Sequence, residues 1–393
     1  MADQLRIMIA AGGTGGHVFP AIAIADAIRE AYPGSQFLFV GTRDRMEWKA
    51  VPAAGYDITP VWISGLHRRL TLKNLLFPLK LVVSLWQSRT LIRRFRPHAM
   101  VSCGGFAAGP AGWMAARSRV PLFLQEQNSY PGMTNRKLAP HAELIFTAFD
   151  EAAKWFPGSK TRCVGNPVRK SLIDRLQDPV FSEKARVHFG LDPDRPVLLV
   201  MGGSGGAKSI NEAMLRHLPA LLDSGKNQII WQCGEQYHEE IIRRLAASGT
   251  PVEKLPGLRL YGFMNDVTEA WAAADVVVSR AGATTCAEML AGGKAGILVP
   301  SPWVAGDHQT QNAQALANQG AAVILKDDTL TDLLPEMVMT LMQDRSKRER
   351  MQEMARKLAK NDAADVIAKE ILSRVLPDAD RGASENQKLR ELS

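Results

Sequence analysis

Two glycine-rich runs offer backbone that could do chemistry: Gly12-Gly13-Thr14-Gly15-Gly16-His17 and Gly202-Gly203-Ser204-Gly205-Gly206-Ala207. A glycine-rich turn that opens a helix leaves backbone N–H groups unpaired, and the helix dipole favours an anion there. Either run alone could serve tight strand–helix packing. Two in one chain point to phosphate or pyrophosphate. The dinucleotide fingerprint GxGxxG fits Gly13 and Gly15, but Val18 holds its third place and no carboxylate follows Val40-Gly41-Thr42. The stretch from Gly202 to Ser209 misses a P-loop by Ala207, and no apolar strand ending in Asp is present to hold magnesium. The triplets Asp192-Pro193-Asp194 and Asp378-Ala379-Asp380 lie in loop and tail composition. No metal and no cofactor is expected.

The elements that must carry these loops repeat. Residues 5–11 read as a buried strand, the glycine run follows, a helical pattern covers 20–31, and 37–40 reads as the next strand. The unit recurs as the strand 196–200, the second glycine run and a helix from about Ser209. A second pair repeats as well: 99–101 leads to Ser102-Cys103-Gly104-Gly105, and 275–278 leads to Ser279-Arg280-Ala281-Gly282-Ala283 with the helix 284–291. Strands alternating with helices argue for parallel sheets covered on both faces. The fold expected is α/β, two doubly wound Rossmann-like domains facing each other across a cleft. A chain of 393 residues with 46% hydrophobic side chains has ample core for both. Gly165 and Pro167 interrupt both periodicities, which sets the domains at 1–163 and 164–376. The last helix, 364–375, could return to the first domain, and the polar tail 377–393 is expected to be disordered.

The balance of 48 basic against 40 acidic residues is a local feature. Between Asp57 and Glu126 there is no acidic residue, while Arg68, Arg69, Lys73, Lys80, Arg89, Arg93, Arg94, Arg96, Arg117 and Arg119 all lie there. In the same span Leu72, Leu75, Leu76, Leu79, Val82, Val83 and Trp86 recur at helical spacing, with a reset or kink at Pro78. Two readings stand beside each other: a helix packing its stripe on the core, or an interfacial patch that enters the headgroup layer of an anionic membrane. No nucleic-acid motif accompanies the charge. The four cysteines are far apart with no CxxC pair, which fits neither a disulfide scaffold nor a zinc site. The amino terminus lacks the pattern of a signal peptide, and no apolar run approaches the roughly 20 residues of a spanning helix.

Seven motifs occur in order: the first glycine run through Val18-Phe19-Pro20, Gly104-Gly105-Phe106, Glu126-Gln127-Asn128, Gly165-Asn166-Pro167-Val168-Arg169, Gly202-Gly203-Ser204, Ser279-Arg280-Ala281-Gly282-Ala283 and Asp307-His308-Gln309. With these, nearly the whole chain resembles the MurG family, the bacterial peptidoglycan N-acetylglucosaminyltransferases of the GT-B fold (glycosyltransferase family 28). The resemblance implies an inverting transfer of N-acetylglucosamine from UDP-GlcNAc to the C4 hydroxyl of a muramyl pentapeptide on undecaprenyl pyrophosphate. It places UDP on the second domain and the acceptor on the first. It further implies a peripheral enzyme on the cytoplasmic face of the cell membrane, working beside other cell-wall synthesis proteins, with no nucleic acid. Three positions depart from the family pattern: Gly205 for Gln, Gln125 for His and Ala295 for Pro.

The resemblance lends roles to individual residues. His17 is expected to deprotonate the acceptor or to touch phosphate; as a lone histidine it would merely bond the backbone at a helix start. Glu126 competes for the role of base, or else is a buried carboxylate that orders its loop. Thr14, Gly15 and Gly16 are expected near the donor sugar or the acceptor phosphate. Arg169 and Ser204 suit the diphosphate. Glu288 could accept both ribose hydroxyls, on the helix that Ala283, Thr284 and Thr285 open. Asn128 and Gln309 can read sugar hydroxyls as both donor and acceptor, and Met264 could meet uracil through its backbone. Two rival readings remain: a soluble UDP-GlcNAc 2-epimerase, against which the basic apolar span argues, and a nucleotide-sensing membrane adaptor without catalysis, which His17, Glu126 and Glu288 disfavour.

Overall fold

The computed structural model describes residues 4–65, 75–203, 205–222, 225–264 and 266–376. Ser204, Leu72, Lys73, Arg68, Arg69 and the tail with its second DxD triplet lie outside the described residues. The chain divides into two units. One runs through Arg169 and resumes at Lys360; the other is Lys170–Ala359.

The first unit is a sheet of seven parallel strands: β1 Arg6–Ala10, β2 Gln36–Gly41, β3 Asp57–Pro60, β4 Ala99–Ser102, β5 Leu122–Glu126, β6 Leu144–Thr147 and β7 Thr161–Cys163, in the order β3-β2-β1-β4-β5-β6-β7. Parallel neighbours need crossover helices, which cover both faces, so the strands are apolar almost throughout. In β1, Ile7 and Ile9 point to one face, against Ile24 and Ile28 of the helix Gly15–Ala31. Met8 and Ala10 point to the other, beside Met100, Leu122 and Ala111. The helix Ala363–Val375, from the far end of the chain, adds Ile367, Ile371 and Leu372 to the first of these cores. Gly165 makes room for this return: a Cβ there would stand 2.3 Å from Cβ of Lys360.

The helix Phe77–Phe95 covers the other face unusually. Pro78 sits in its first turn, where a missing N–H costs nothing, so it opens this helix. Its buried residues are Ser84, Ser88 and Ile92, one turn apart. Ser84 and Ser88 satisfy their hydroxyls on Leu81 O and Ser84 O at 2.8 and 2.7 Å. Its apolar stripe points the other way: Leu79, Val82 and Trp86 are exposed, Trp86 by 68%, and so is Leu75 just before the helix.

The second unit has six parallel strands: β8 Val197–Met201, β9 Gln228–Gln232, β10 Leu258–Tyr261, β11 Val276–Ser279, β12 Ala295–Leu298 and β13 Ala322–Ile324, in the order β10-β9-β8-β11-β12-β13. Ala295, one of the three departures, begins β12 fully buried in the core. In each sheet the strand order reverses direction once, between β1 and β4 and between β8 and β11. Crevices outside the carboxyl ends of the strands at such reversals are where open α/β sheets bind ligands. Both glycine runs leave the sheet there.

Candidate functional site

In the first unit the loops after β1 and β4 touch backbone to backbone. A Cβ on Gly105 would lie 2.2 Å from Gly12 O, so only glycine fits, and Gly105 also holds φ at 88°. Thr14 precedes the helix Gly15–Ala31, and His17 donates its backbone N–H to Thr14 O at 3.1 Å. The His17 ring pairs Nδ1 with Thr14 Oγ1 at 3.3 Å. Its other edge rests on the next loop, where a Cβ on Gly104 would stand 2.9 Å from Cδ2 and 3.1 Å from Nε2. Thr14, Gly15, Gly16 and His17 thus form the first turn of one helix at the β1/β4 reversal.

Glu126 closes β5 and is 2% exposed. Its Oε1 accepts from the Asn128 backbone N–H at 3.1 Å and Asn128 Nδ2 at 3.3 Å; Oε2 accepts from Gly132 N–H and Asn135 Nδ2, both at 3.0 Å. Burial pushes this carboxyl above the usual range, and the four donors pull against that. The geometry is that of a carboxylate that folds the 127–132 loop around itself. Asn128 spends donors on the same carboxylate. Gln125 donates to Asn166 Oδ1 at 3.1 Å, so this departure ties β5 to the Gly165-Asn166-Pro167 turn.

In the second unit a cavity of about 690 Å³ opens at the β8/β11 reversal. Glycines 202, 203, 205 and 206 line it, with Lys208 and Ser209 from the start of the helix Lys208–Leu222. Thr285, Gln309 and Trp303 complete other walls. Gln309 accepts the Ser301 N–H at 2.9 Å through Oε1. Arg280 works below the surface as a clamp: it donates to Asp327 Oδ1 at 2.6 Å, to Ser209 Oγ at 2.7 Å and to the carbonyls of Val299 and Pro300 at 3.2 Å. Ser209 in turn donates to Asp327 at 2.7 Å.

The residues singled out from sequence fall into three groups. Thr14, Gly15, Gly16, His17, Glu126 and Asn128 gather at the carboxyl ends of β1, β4 and β5. Thr285 and Gln309 line the cavity, while Ala283 and Thr284 begin the same helix, Ala283–Ala291, and Glu288 lies one turn beyond Thr285 without lining it. Met264 and Arg169 are not among the residues that line the cavity. Met264 is buried and its N–H already donates to Gln232 Oε1 at 2.9 Å, which removes the backbone donor a base would use. Arg169 closes the first unit, not the second, with its guanidinium 5.6 Å from the Phe19 ring.

Sequence reasoning missed Lys208, Arg280, Asp327, Trp303 and Glu47. Lys208 stood inside the near P-loop match and Arg280 inside a quoted motif. Nothing local marked Glu47, which lies beside Arg43, Asp44 and Arg45 and yet is wholly buried. Among the described residues no group of three or more His, Cys, Asp and Glu is placed to hold a metal ion, and the first DxD triplet is a turn in which Asp192 Oδ1 accepts the Asp194 N–H at 3.0 Å.

Comparison with known proteins supplies the family. The model of the glycosyltransferase family 28 N-terminal domain matches residues 7–147, and that of the C-terminal domain matches 197–369. The UDP-N-acetylglucosamine--N-acetylmuramyl-(pentapeptide) pyrophosphoryl-undecaprenol N-acetylglucosamine transferase of Bacteroides fragilis is 43% identical over 370 residues, 94% of this chain and 96% of that protein. The crystal structure of Acinetobacter baumannii MurG superposes with a TM-score of 0.70 at 27% identity, covering 94% of this chain and 100% of that one. The UDP-GlcNAc 2-epimerase of Neisseria meningitidis, bound to UDP-GlcNAc, reaches 0.65 at 12% identity over 94% of this chain and 100% of its own, a likeness of fold alone. Two reversal points, each with its glycine loop, and identity of this extent along both units lead to one assignment: the chain belongs to glycosyltransferase family 28, among the MurG N-acetylglucosaminyltransferases.

Proposed function

We infer that the chain carries out its family's reaction. It transfers N-acetylglucosamine from UDP-GlcNAc to a muramyl-pentapeptide pyrophosphoryl-undecaprenol, at the C4 hydroxyl and with inversion at the anomeric carbon. The observation that carries this reading is the 43% identity to an enzyme of that name across 94% of the chain. The donor's diphosphate sits against the backbone of Gly202, Gly203, Gly205 and Gly206, with Lys208 among the cations of that cavity; Arg169, in the first unit, offers its charge to a phosphate. Ser204 contributes its hydroxyl, Glu288 holds the ribose, and Gln309 and Asn128 read sugar hydroxyls. The acceptor's pyrophosphate sits on Thr14, Gly15 and Gly16. His17 is the general base; Glu126, with both oxygens already accepting, orders the loop that carries Asn128.

The acceptor is lipid-linked, and no helix among the described residues is long and apolar enough to cross a membrane. The exposed stripe of Leu75, Leu79, Val82 and Trp86, with Lys80, Arg89 and Arg93 beside it, is the surface that docks on the anionic cytoplasmic leaflet.

UDP release with UDP-GlcNAc and a lipid-linked acceptor tests the reaction. Turnover should require both substrates; conversion of UDP-GlcNAc without acceptor would favour an epimerase. His17→Ala should lower kcat by roughly 10²–10⁴, the range for a general base. Glu288→Ala should weaken UDP binding by about 1.5–3 kcal/mol, as for lost hydrogen bonds to a charged group. Unchanged UDP affinity by calorimetry would remove Glu288 from the ribose.

A further inference from the structure

The first glycine loop rests on a buried carboxylate far from it in sequence. Glu47 is 0% exposed and is the first residue of the helix Glu47–Ala53, whose positive end favours its charge. Oε2 accepts the Gly13 backbone N–H at 3.0 Å, while Oε1 accepts the Thr42 N–H at 3.0 Å and its hydroxyl at 2.7 Å. The space is built for it. A Cβ on Gly12 would stand 2.8 Å from Oε1, and one on Gly41 would stand 2.7 Å from Cγ. Two glycines, from two different strand ends, are therefore needed to admit this side chain.

A buried negative charge beneath an anion-binding loop opposes the ligand, so charge is not what it contributes. Its contribution is the direction of Gly13. With φ at 96°, that residue turns its N–H inward to Glu47, which sets where the peptides of Thr14, Gly15 and Gly16 begin. Those amides belong to the first helical turn, where N–H groups have no intrahelical acceptor. We propose that Glu47 is a positioning residue for the acceptor half of the reaction, holding loop 12–16 in the shape that receives the acceptor's pyrophosphate. This rests on the reading of that loop given above.

Glu47→Gln tests it by its asymmetry. The amide keeps one acceptor oxygen, which the two donors of Thr42 will claim, and its NH₂ then faces the Gly13 N–H. The strain falls on the loop. The expected result is a rise of tenfold or more in KM for the lipid-linked acceptor, with KM for UDP-GlcNAc and UDP affinity within twofold of wild type. Glu47→Asp, a methylene shorter, should shift the same constant in the same direction and provides the measurement if the glutamine variant does not fold. Thr42→Val removes a bond to Glu47 but not the one to Gly13; it should lower the melting temperature and leave acceptor KM unchanged. Equal changes in both substrates' constants, or an acceptor effect in Thr42→Val matching that of Glu47→Gln, would reduce Glu47 to a structural residue. Gly15→Ala separates the two layers of inference. If that loop variant leaves acceptor KM alone, the reading of the loop fails; if it raises KM while Glu47→Gln does not, only the role of Glu47 fails.

Discussion

Glu126 and Lys294 show how differently two buried charges can be held. Each oxygen of Glu126 faces one backbone donor that cannot turn away, Asn128 N–H on one side and Gly132 N–H on the other. Glu126→Gln must therefore place its NH₂ against a fixed N–H whichever way it flips. The expected loss is about 1–3 kcal/mol despite the relief of burying no charge, read from a denaturant midpoint; a variant as stable as wild type would show that desolvation outweighs the loop. Lys294 donates to Ala272 O and Ala274 O at 3.1 and 2.8 Å, and burial pushes its ammonium down to about 8. The unfolded chain, with the ordinary value near 10.5, binds more protons between those limits. Folding stability should therefore rise with pH from about 8 to 10.5, by up to about 3 kcal/mol, and stay at its lower level below 8. Urea unfolding of wild type and Lys294→Met at pH 7.5 and 10 checks this, since the variant should lack that gain. Neither residue's role was legible in advance in full. Glu126 was read with loop ordering as one of two options, because a carboxylate at a strand end could serve either. Glu47 could not be read at all, since only the tertiary approach of 12, 41 and 47 reveals that its neighbours are glycines on its account.

At the scale of elements, the glycine loops and their strands were legible because a parallel strand is buried on both faces and so reads as an uninterrupted apolar run ending in glycine. The helix Phe77–Phe95 was ambiguous for a physical reason. Its apolar stripe has the period of a core-facing helix, and nothing in that period says which face is inward. Serines at 84 and 88 settled it, because each closes its hydroxyl on its own helix and can be buried at little cost. An exposed run of Leu75, Leu79, Val82 and Trp86 is larger than scattered surface residues need, and its cations face no acidic residue between Asp57 and Glu126. Charge reversal at Lys80, Arg89 and Arg93 should weaken binding to anionic vesicles, each cation near the leaflet being worth about 1 kcal/mol. The difference from wild type should shrink at high salt, where screening has already weakened the parent. Turnover of a short-chain, water-soluble acceptor should persist. Vesicle binding equal to wild type would assign the stripe to another partner.

The division of the whole molecule was legible only in part. Gly165 and Pro167 mark a break in periodicity close to where the units part after Arg169, and the 165–169 turn packs with the first unit through Asn166 and Phe19. That packing keeps Arg169 in the first unit. The first unit is also discontinuous, since Ile367, Ile371 and Leu372 complete its core from beyond the second. A fragment ending at Arg169 should thus expose the apolar side of the helix Gly15–Ala31 and fail to melt cooperatively, while Lys170–Ala359 alone should melt cooperatively. Circular dichroism melts of the two fragments decide it; a cooperative transition in the shorter piece would make the last helix dispensable.

The same return of the chain orders events at the ribosome. The second unit is one uninterrupted stretch and can close its sheet as soon as its own residues have emerged. The first must wait, half-assembled, until the segment beyond Lys360 arrives to pack its last helix on the helix Gly15–Ala31. Its sticky helix and its outward leucines are then presented together in a nascent chain.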